Sequence, residues 1–141
     1  MKNNFGFILI KPQMGENIGA CARSLKNFGF SKLLIVSPRQ SFPNPKSKAT
    51  SVGAYDIIKK AKIYDNTQHA IGQFHIIVSL SARKRDINKK HISMSHLDNL
   101  IKSNKDKKIG FMFGPEASGL SNEDLSFSNY ILQIPTSKKF K

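Results

Sequence analysis

Short apolar runs recur along the chain and are separated by amphipathic or polar stretches. A run of four to eight mostly apolar residues between turn signals is typical of a buried β-strand. The predicted strands are FGFILI (5–10), KLLIVS (32–37), HIIVSL (75–80), KIGFMFG (108–114) and YILQIP (130–135), with KIYD (62–65) as a short strand or turn. Near-continuous apolar runs of this kind indicate strands that are covered on both faces.

Helical stretches stand between most of these runs. The predicted helices are residues 15–28, a helix carrying VGAYDIIKKA (52–61), TQHAIGQF (67–74), MSHLDNLIKS (94–103) and SNEDLS (121–126). The Pro- and Ser-rich stretch 38–51 is a predicted loop, and the basic stretch 81–91 is assigned neither a helix nor a strand. Strands that alternate with helices predict one α/β domain over residues 1–141, with a mostly parallel sheet and helices on both faces.

The first predicted helix, residues 15–28, has one apolar side and one side of small residues, and Gly29 is predicted to end it. A helical wheel places the apolar arc at Ile18, Cys21, Ala22, Leu25 and Phe28, which makes Cys21 a core residue. The opposite side carries Gly19, Ala20, Arg23 and Asn27. Small residues let a backbone or a ligand approach closely, and arginine offers donors for phosphate or carboxylate. Arg23 is either such a ligand-binding residue or an ordinary solvated side chain.

Ligands of parallel α/β sheets bind beyond the carboxyl ends of the strands, so the loops after the strands are the candidate sites. The loop GPEASGLSNEDL combines two glycines and a proline with a predicted capping box of Ser121 and Asp124, which indicates a rigid loop that presents Glu116. The loop after HIIVSL carries Arg83, Lys84 and Arg85. These cations either contact phosphates or form a solvated surface.

The charge of the chain favours a polyanionic partner. Lys and Arg total 23 against 9 Asp and Glu, and the net charge is +14 at pH 7. An abundance of Lys and Asn encoded by AT-rich DNA is the alternative source of this charge. The four histidines lack metal-ligand spacing and the one cysteine has no partner, so neither a metal nor a disulfide is expected. No apolar segment suits a membrane span or a signal peptide, which predicts a cytoplasmic protein.

Several motifs, taken in order, resemble those of the SPOUT-class RNA methyltransferases, in the SpoU/TrmH family and its TrmJ-type branch of tRNA 2'-O-methyltransferases. The motifs are NIGACARSLKNFG (17–29), GAYDII (53–58), SARKRD (81–86), FGPEASGLSNEDL (113–125) and QIPT (133–136). The resemblance implies S-adenosylmethionine as methyl donor, RNA and foremost tRNA as substrate, a homodimer and a C-terminal trefoil knot. It places Asn17, Arg23 and Glu116 at the active site. It assigns cofactor binding to loops at Leu80, Ser81, Ala82, Gly114 and Ile134.

The family's third motif, a Ser-Leu-Asn segment followed by a helix, is expected just after residue 141. The knot is therefore expected to be incomplete in a C-terminally shortened domain. By the resemblance, the function is S-adenosylmethionine-dependent ribose 2'-O-methylation of tRNA or rRNA. Because arginine stays protonated, Arg23 is expected to stabilise the developing alkoxide or the adjacent phosphate. The alternatives are an inactive, basic RNA-binding remnant of such an enzyme and a nucleotide-binding regulatory domain, although the latter lacks a phosphate-binding motif.

Overall fold

The computed structural model describes residues 4–40, 42–81, 88–115 and 118–133. In these residues the chain forms a sheet of seven strands flanked by six helices. The strands are β1 (Phe5–Ile10), β2 (Leu33–Val36), β3 (Lys62–Tyr64), β4 (Ile76–Ser81), β5 (Lys90–Ile92), β6 (Ile109–Phe113) and β7 (Tyr130–Gln133). The helices are α1 (Gly15–Asn27), α2 (Pro45–Thr50), α3 (Tyr55–Lys60), α4 (Thr67–Ile71), α5 (Met94–Ser103) and α6 (Asn122–Ser126). Among these helices, none has the length and apolar character of a membrane span.

The strands lie in the order β3-β2-β1-β6-β4-β7-β5, and every neighbouring pair is parallel. The predicted α/β class with a parallel sheet is therefore confirmed. Two late strands lie inside the sheet, because β6 separates β1 from β4 and β7 separates β4 from β5. Strands that are distant in the sequence thus become neighbours.

Helices cover both faces of the sheet, as predicted. Alternate residues of a strand point to opposite faces. On one face, Ile8 and Met112 belong to an apolar cluster that includes residues of α4 and α6. On the other face, Phe7 packs against two clusters, one formed with α1 and α3 and the other with α5. The sheet is therefore buried on both sides, in accord with its near-continuous apolar strands.

Two elements were not predicted. The stretch 38–51, interpreted as a loop, contains α2, whose first turn is closed by a capping box between Asn44 and Ser47 with Pro45 at the start of the helix. The basic stretch 81–91 ends in β5, which pairs with β7 in the register His91 to Ile131. Both elements are short and depend on tertiary contacts, so hydrophobic periodicity gives only a weak signal for them.

The apolar side of α1 is confirmed except at its end. Ile18, Ala22 and Leu25 are buried, and Cys21 packs against the same cluster. Phe28 was expected to complete this arc but is 69% exposed. It lies after the last helical residue, and Gly29, with φ of 81°, turns the chain away as the predicted C-terminal glycine.

Candidate functional site

The carboxyl ends of the strands lie along one edge of the sheet, called here the carboxyl edge. Because β6, β4 and β7 are adjacent, the loops that follow them start side by side. Leu80 and Ser81 end β4, Gly114 follows β6, and Ser81 pairs with Gln133 of β7. The structure thus brings together the predicted positions 80, 81 and 114. Ala82 and Ile134, which come next in the chain after Ser81 and Gln133, lie outside the described residues, as do Arg83, Lys84 and Arg85.

The loop after β6 folds back tightly on itself. A Cβ atom added to Gly114 would overlap backbone atoms of Gly119 and Leu120 and would stand 2.9 Å from the Leu120 Cα atom. The Gly119 N–H donates to the Pro115 carbonyl oxygen at 2.9 Å, and Gly119 has φ of 70°. Glu116 lies within this loop but outside the described residues. The glycines are therefore required by the close return of the chain.

Of the capping box predicted for the next helix, the structure shows the half in which Ser121 acts as the N-cap. The Ser121 hydroxyl oxygen accepts from the Asp124 N–H at 3.1 Å, at the start of α6. The Asp124 carboxylate in turn accepts from the hydroxyl of Thr67, at the start of α4, at 2.7 Å. Thr67 is buried, so this hydrogen bond joins the loop region after β6 to the loop region after β3. The two short helices are fixed against one another at the carboxyl edge.

A cleft of about 350 Å³ opens at the carboxyl ends of β5 and β7, lined by His91, Ile92, Ser93 and Gln133. Its volume falls in the range of small-molecule sites. It adjoins the end of β4, since Ser81 pairs with Gln133. His91 and Ser93 were not predicted as site residues, because β5 was missed and only the isolated apolar Ile92 marks it in the basic stretch.

A second cleft, of about 200 Å³, lies at the carboxyl ends of β1, β2 and β3. Its lining includes Lys11, Asp65, Glu123 and Asp124. The three carboxylates against one lysine make this cleft a poor site for an anionic ligand. In the described ranges, no group of three or more His, Cys, Asp or Glu side chains is placed to hold a metal ion.

Asn17 and Arg23 both lie on the exposed side of α1. The buried side of α1 packs against β1, β2 and α3. Among the described residues, the Arg23 guanidinium has no hydrogen-bond or ion-pair partner, and no hydrogen bond links Asn17 to Leu80, Ser81 or Gly114. The structure therefore leaves Arg23 free for an external anion, but does not bring it into contact with the predicted cofactor loops.

Gly19 lets a backbone approach closely, as expected of a small residue at this position, but the backbone is that of α2 in the same chain and not that of a partner or ligand. A Cβ atom there would overlap the Thr50 hydroxyl and stand 2.6 Å from the Ser47 carbonyl oxygen. Thr50 also donates a hydrogen bond to the Glu16 carbonyl oxygen at 3.1 Å. The small residue at position 19 serves the packing of α2 on α1 within the chain, whereas Ala20 remains exposed.

The first turn of α1 is held by the loop after β2. The Gly15 N–H donates to the Gln40 side-chain oxygen at 3.2 Å, and Gly15 lies against the side chain of Asn44. A helix without a side-chain cap of its own thereby gains a partner for one of its free N–H groups. These contacts fix the turn that carries Asn17.

Cys21 has the properties of the core residue that was predicted. Burial raises the pKa of its thiol to about 11, and the side chain packs against the α1–α3 cluster. The thiolate is the nucleophilic form of cysteine, and it is scarce at neutral pH for such a pKa. The environment of Cys21 therefore argues against a catalytic thiol.

Comparison with known sequences gives a consistent result. The model of the SpoU rRNA Methylase family matches residues 4–141. The tRNA (cytidine-2'-O-)-methyltransferase TrmJ of Methanocaldococcus jannaschii is 35% identical over 135 residues, which cover 94% of this chain and 58% of that protein. An uncharacterised tRNA/rRNA methyltransferase of Haemophilus influenzae is 32% identical over 140 residues, which cover 99% of this chain and 57% of that protein. The chain thus spans little more than half the length of these relatives.

Comparison with solved structures agrees with the sequence matches. The crystal structure of TrmJ from Z. mobilis ZM4 superposes with a TM-score of 0.88 at 30% identity, covering 96% of this chain and 60% of that one. The predicted SPOUT-type fold is confirmed by this likeness. Together with the ordered motifs and the parallel sheet, the matches lead to one conclusion: the chain belongs to the SpoU rRNA methylase family.

Proposed function

We propose that this chain forms the methyl-transfer domain of an S-adenosylmethionine-dependent tRNA ribose 2'-O-methyltransferase. The observation that carries the proposal is the adjacency of the ends of β4, β6 and β7 at the carboxyl edge. The sheet that contains them resembles that of TrmJ, and relatives at 35% identity and below are named as tRNA 2'-O-methyltransferases. The proposal also places the protein in the cytoplasm with its substrate.

The cofactor would be held by the strand-end loops. Leu80, Ser81 and Gly114 lie at neighbouring strand ends, and Ala82 and Ile134 are the next residues in the sequence after Ser81 of β4 and Gln133 of β7. The adjoining cleft of about 350 Å³ offers the room that a nucleoside-sized ligand needs. When bound, S-adenosylmethionine supplies a methyl group already activated by the positive charge on sulfur. A structural neighbour, the methyltransferase AviRb from Streptomyces viridochromogenes, is described in complex with AdoMet, and at 17% identity it supports the fold.

The chain's own residues would then orient the ribose and stabilise charge. Arg23 is exposed and has no partner in the described part of the chain, so it is available to hold a phosphate or the developing negative charge on the 2'-oxygen. Asn17 lies six residues before Arg23 on the same helix, about 9 Å nearer the carboxyl edge. Glu116 belongs to the tightly folded loop that begins at Gly114. Positioning by such groups is the largest contribution a protein makes to this kind of transfer.

We place the active site between two copies of the chain. Arg23 points away from the core on α1, which packs on β1 and β2, while the cofactor loops follow β4, β6 and β7. A homodimer that brings the exposed side of α1 to a partner's strand ends would unite both groups. Arg83, Lys84 and Arg85, which follow β4 in the chain, would contact RNA phosphates beside the site.

The experiment measures transfer of a radiolabelled methyl group from S-adenosylmethionine to an unmodified tRNA transcript. The Arg23→Ala variant should lower the transfer rate by about 100-fold or more, as the loss of one preorganised charge donor does elsewhere. Lys26→Ala is the matched control, because it removes one cation from the same helix, where Lys26 pairs with Asp56 on the surface. The control should keep its rate, since exposed ion pairs contribute little.

The outcomes separate the proposal from its alternative. Equal rates for Arg23→Ala and Lys26→Ala would remove Arg23 from the mechanism. Binding of tRNA without cofactor binding or methyl transfer, both by this chain and by a version extended with the family's Ser-Leu-Asn segment and helix, would favour the basic RNA-binding remnant over the enzyme. Mapping of the 2'-O-methyl group by its resistance to alkaline cleavage confirms the position of transfer.

A further inference from the structure

The edge of the sheet opposite the carboxyl edge, called here the amino edge, carries a group of lysines that the proposed mechanism does not use. Lys32 precedes β2, Lys62 begins β3, Lys108 precedes β6, and Lys60 ends α3. These four residues are named here the amino-edge lysine cluster. Three of them, Lys32, Lys60 and Lys62, line one cleft of about 160 Å³ together with Ser31 and Gln73.

The Lys32 side chain of the cluster packs on the ring of Phe74, which itself lies against β1 and β6. The ring of Phe74 lies across Gly6 of β1 and Gly110 of β6: a Cβ atom at Gly6 would overlap the ring, and one at Gly110 would stand 3.0 Å from it. The Lys32 ammonium lies 5.8 Å from the centre of this ring, and its stem passes over Gly6. A cation held over an aromatic face loses less freedom when it binds an anion than an unrestrained lysine does.

Among the described residues, no carboxylate forms an ion pair with a lysine of the cluster. The pKa of Lys32 lies below its usual value, mainly because the side chain is partly buried and to a smaller extent because Lys108 and Lys62 repel it. In the described part of the chain, the ion pairs are Lys26–Asp56 and Lys102–Asp98, and neither involves the cluster. The turn between α5 and β6 adds Lys105 and Lys107 and a single acid, Asp106. An anion placed here would relieve the repulsion among the lysines.

We propose that the amino-edge lysine cluster binds a second phosphodiester segment of the same RNA whose target ribose lies at the carboxyl edge. The inference rests on the proposed function, because it takes RNA as the substrate. The two edges are separated by the length of a strand of five or six residues, about 17–20 Å. A tRNA is long enough to reach both edges, so the surface would hold the body of the molecule while another part enters the site. The cluster would act through backbone phosphates, without reading bases.

The test compares two triple variants with the same change in net charge. The cluster variant is Lys32→Gln/Lys62→Gln/Lys108→Gln, and the control is Lys26→Gln/Lys48→Gln/Lys102→Gln, whose residues lie on α1, α2 and α5. The full chain is titrated with a fluorescein-labelled tRNA transcript at several salt concentrations. Each lost phosphate contact should reduce the log–log salt slope by about 0.7 to 0.9. The cluster variant should therefore lose about two to three units of slope and at least about tenfold in affinity at 0.1 M salt, whereas the control should lose less than about one unit.

Methyl-transfer kinetics and thermal melting complete the test. The cluster variant should raise KM for tRNA and leave kcat at saturating tRNA unchanged, with a melting temperature within about 3 °C of the control, a shift worth under about 1 kcal/mol. Equal losses of affinity in the two triple variants, or full affinity in the cluster variant, would overturn the inference and leave the proposed function intact. A wild-type chain that binds no tRNA would refute both. A chain that binds tRNA without methyl transfer would still test the cluster through its salt slope.

Discussion

Substitution of Gly114 by alanine is a severe test of the strand-end loop. Gly114 does not have a positive φ, so alanine can adopt its backbone conformation and the whole cost is steric. The atoms that the new methyl group would meet are backbone atoms of Gly119 and Leu120. They cannot swing aside as a side chain could, and the Leu120 side chain is only 3% exposed in the core beside Leu125.

The loss of stability caused by Gly114→Ala can be estimated from the two ways in which the overlap can be relieved, by packing the methyl group in or by moving Leu120 out. Forcing one methyl group into packed surroundings costs about 1–3 kcal/mol. Withdrawing Leu120 from the core costs about the same, 1.5–3 kcal/mol. For a domain of this length, a loss of 1–3 kcal/mol should lower the melting temperature by roughly 3–12 °C.

Gly72→Ala is the matched control. A Cβ atom at Gly72 meets nothing closer than 3.7 Å, and its φ of −59° suits alanine. This variant should be neutral or more stable by about 0.4–1 kcal/mol. Differential scanning fluorimetry measures both variants, and calorimetry with S-adenosylmethionine reports whether the displaced loop also weakens cofactor binding. A Gly114→Ala melting temperature equal to or above that of Gly72→Ala would refute the steric reasoning.

Two further predictions concern α1. Gly19→Ala should destabilise the chain by up to about 2 kcal/mol in urea unfolding, because the cost of overpacking against α2 exceeds the gain of about 1 kcal/mol in helix propensity. Adding Thr50→Ala should restore only part of the lost stability, since the Ser47 carbonyl oxygen would still stand 2.6 Å from the new Cβ atom. Full restoration of stability would contradict this geometry. The raised pKa of the Cys21 thiol stabilises the folded state below pH 9, and this stabilisation should be lost as the pH rises from 9 towards 11, by at most about 1.4 kcal/mol per pH unit. The free energy of unfolding of Cys21→Ala, measured in urea over the same pH range, should lack this decrease. Parallel plots of unfolding free energy against pH for the wild type and the variant would refute the prediction.

The strands and the class of fold were accessible from the sequence because buried strands in a parallel sheet are short apolar runs, as in 5–10 and 75–80. The helix α2 could not be predicted from the sequence, because its six residues include Pro45, Ser47 and two lysines and carry no apolar stripe. Its position is decided by the groove that Gly19 leaves on α1. The strand β5 contributes a single buried residue, Ile92, and exists through its pairing with β7.

The sequence predicted the individual loops of the candidate site, but not which of these loops lie next to one another. Motifs identified Ser81 and Gly114 as positions of interest, yet chain order alone does not reveal that β6 and β4 are neighbours. That adjacency arises because β6 inserts beside β1, a long-range pairing that local patterns do not encode. The same limit explains why His91 and Ser93 were missed. The helix position of Arg23 was correctly predicted as exposed, whereas the role of Gly19 depended on an unpredicted neighbour.

The interleaved strand order has a consequence for the folding of the chain. The strands β1, β2 and β3 are neighbours in the sheet and are joined by residues 5–64, so they can pair early during synthesis. In contrast, β4 is flanked by β6 and β7, which come some 30 and 50 residues later, so its two edges stay unpaired until those strands are made. Late closure of non-local parallel pairs makes folding slow and leaves an apolar strand open to aggregation in the meantime. The proposed cofactor loops therefore come together only after β6 and β7 have been made and have paired with β4.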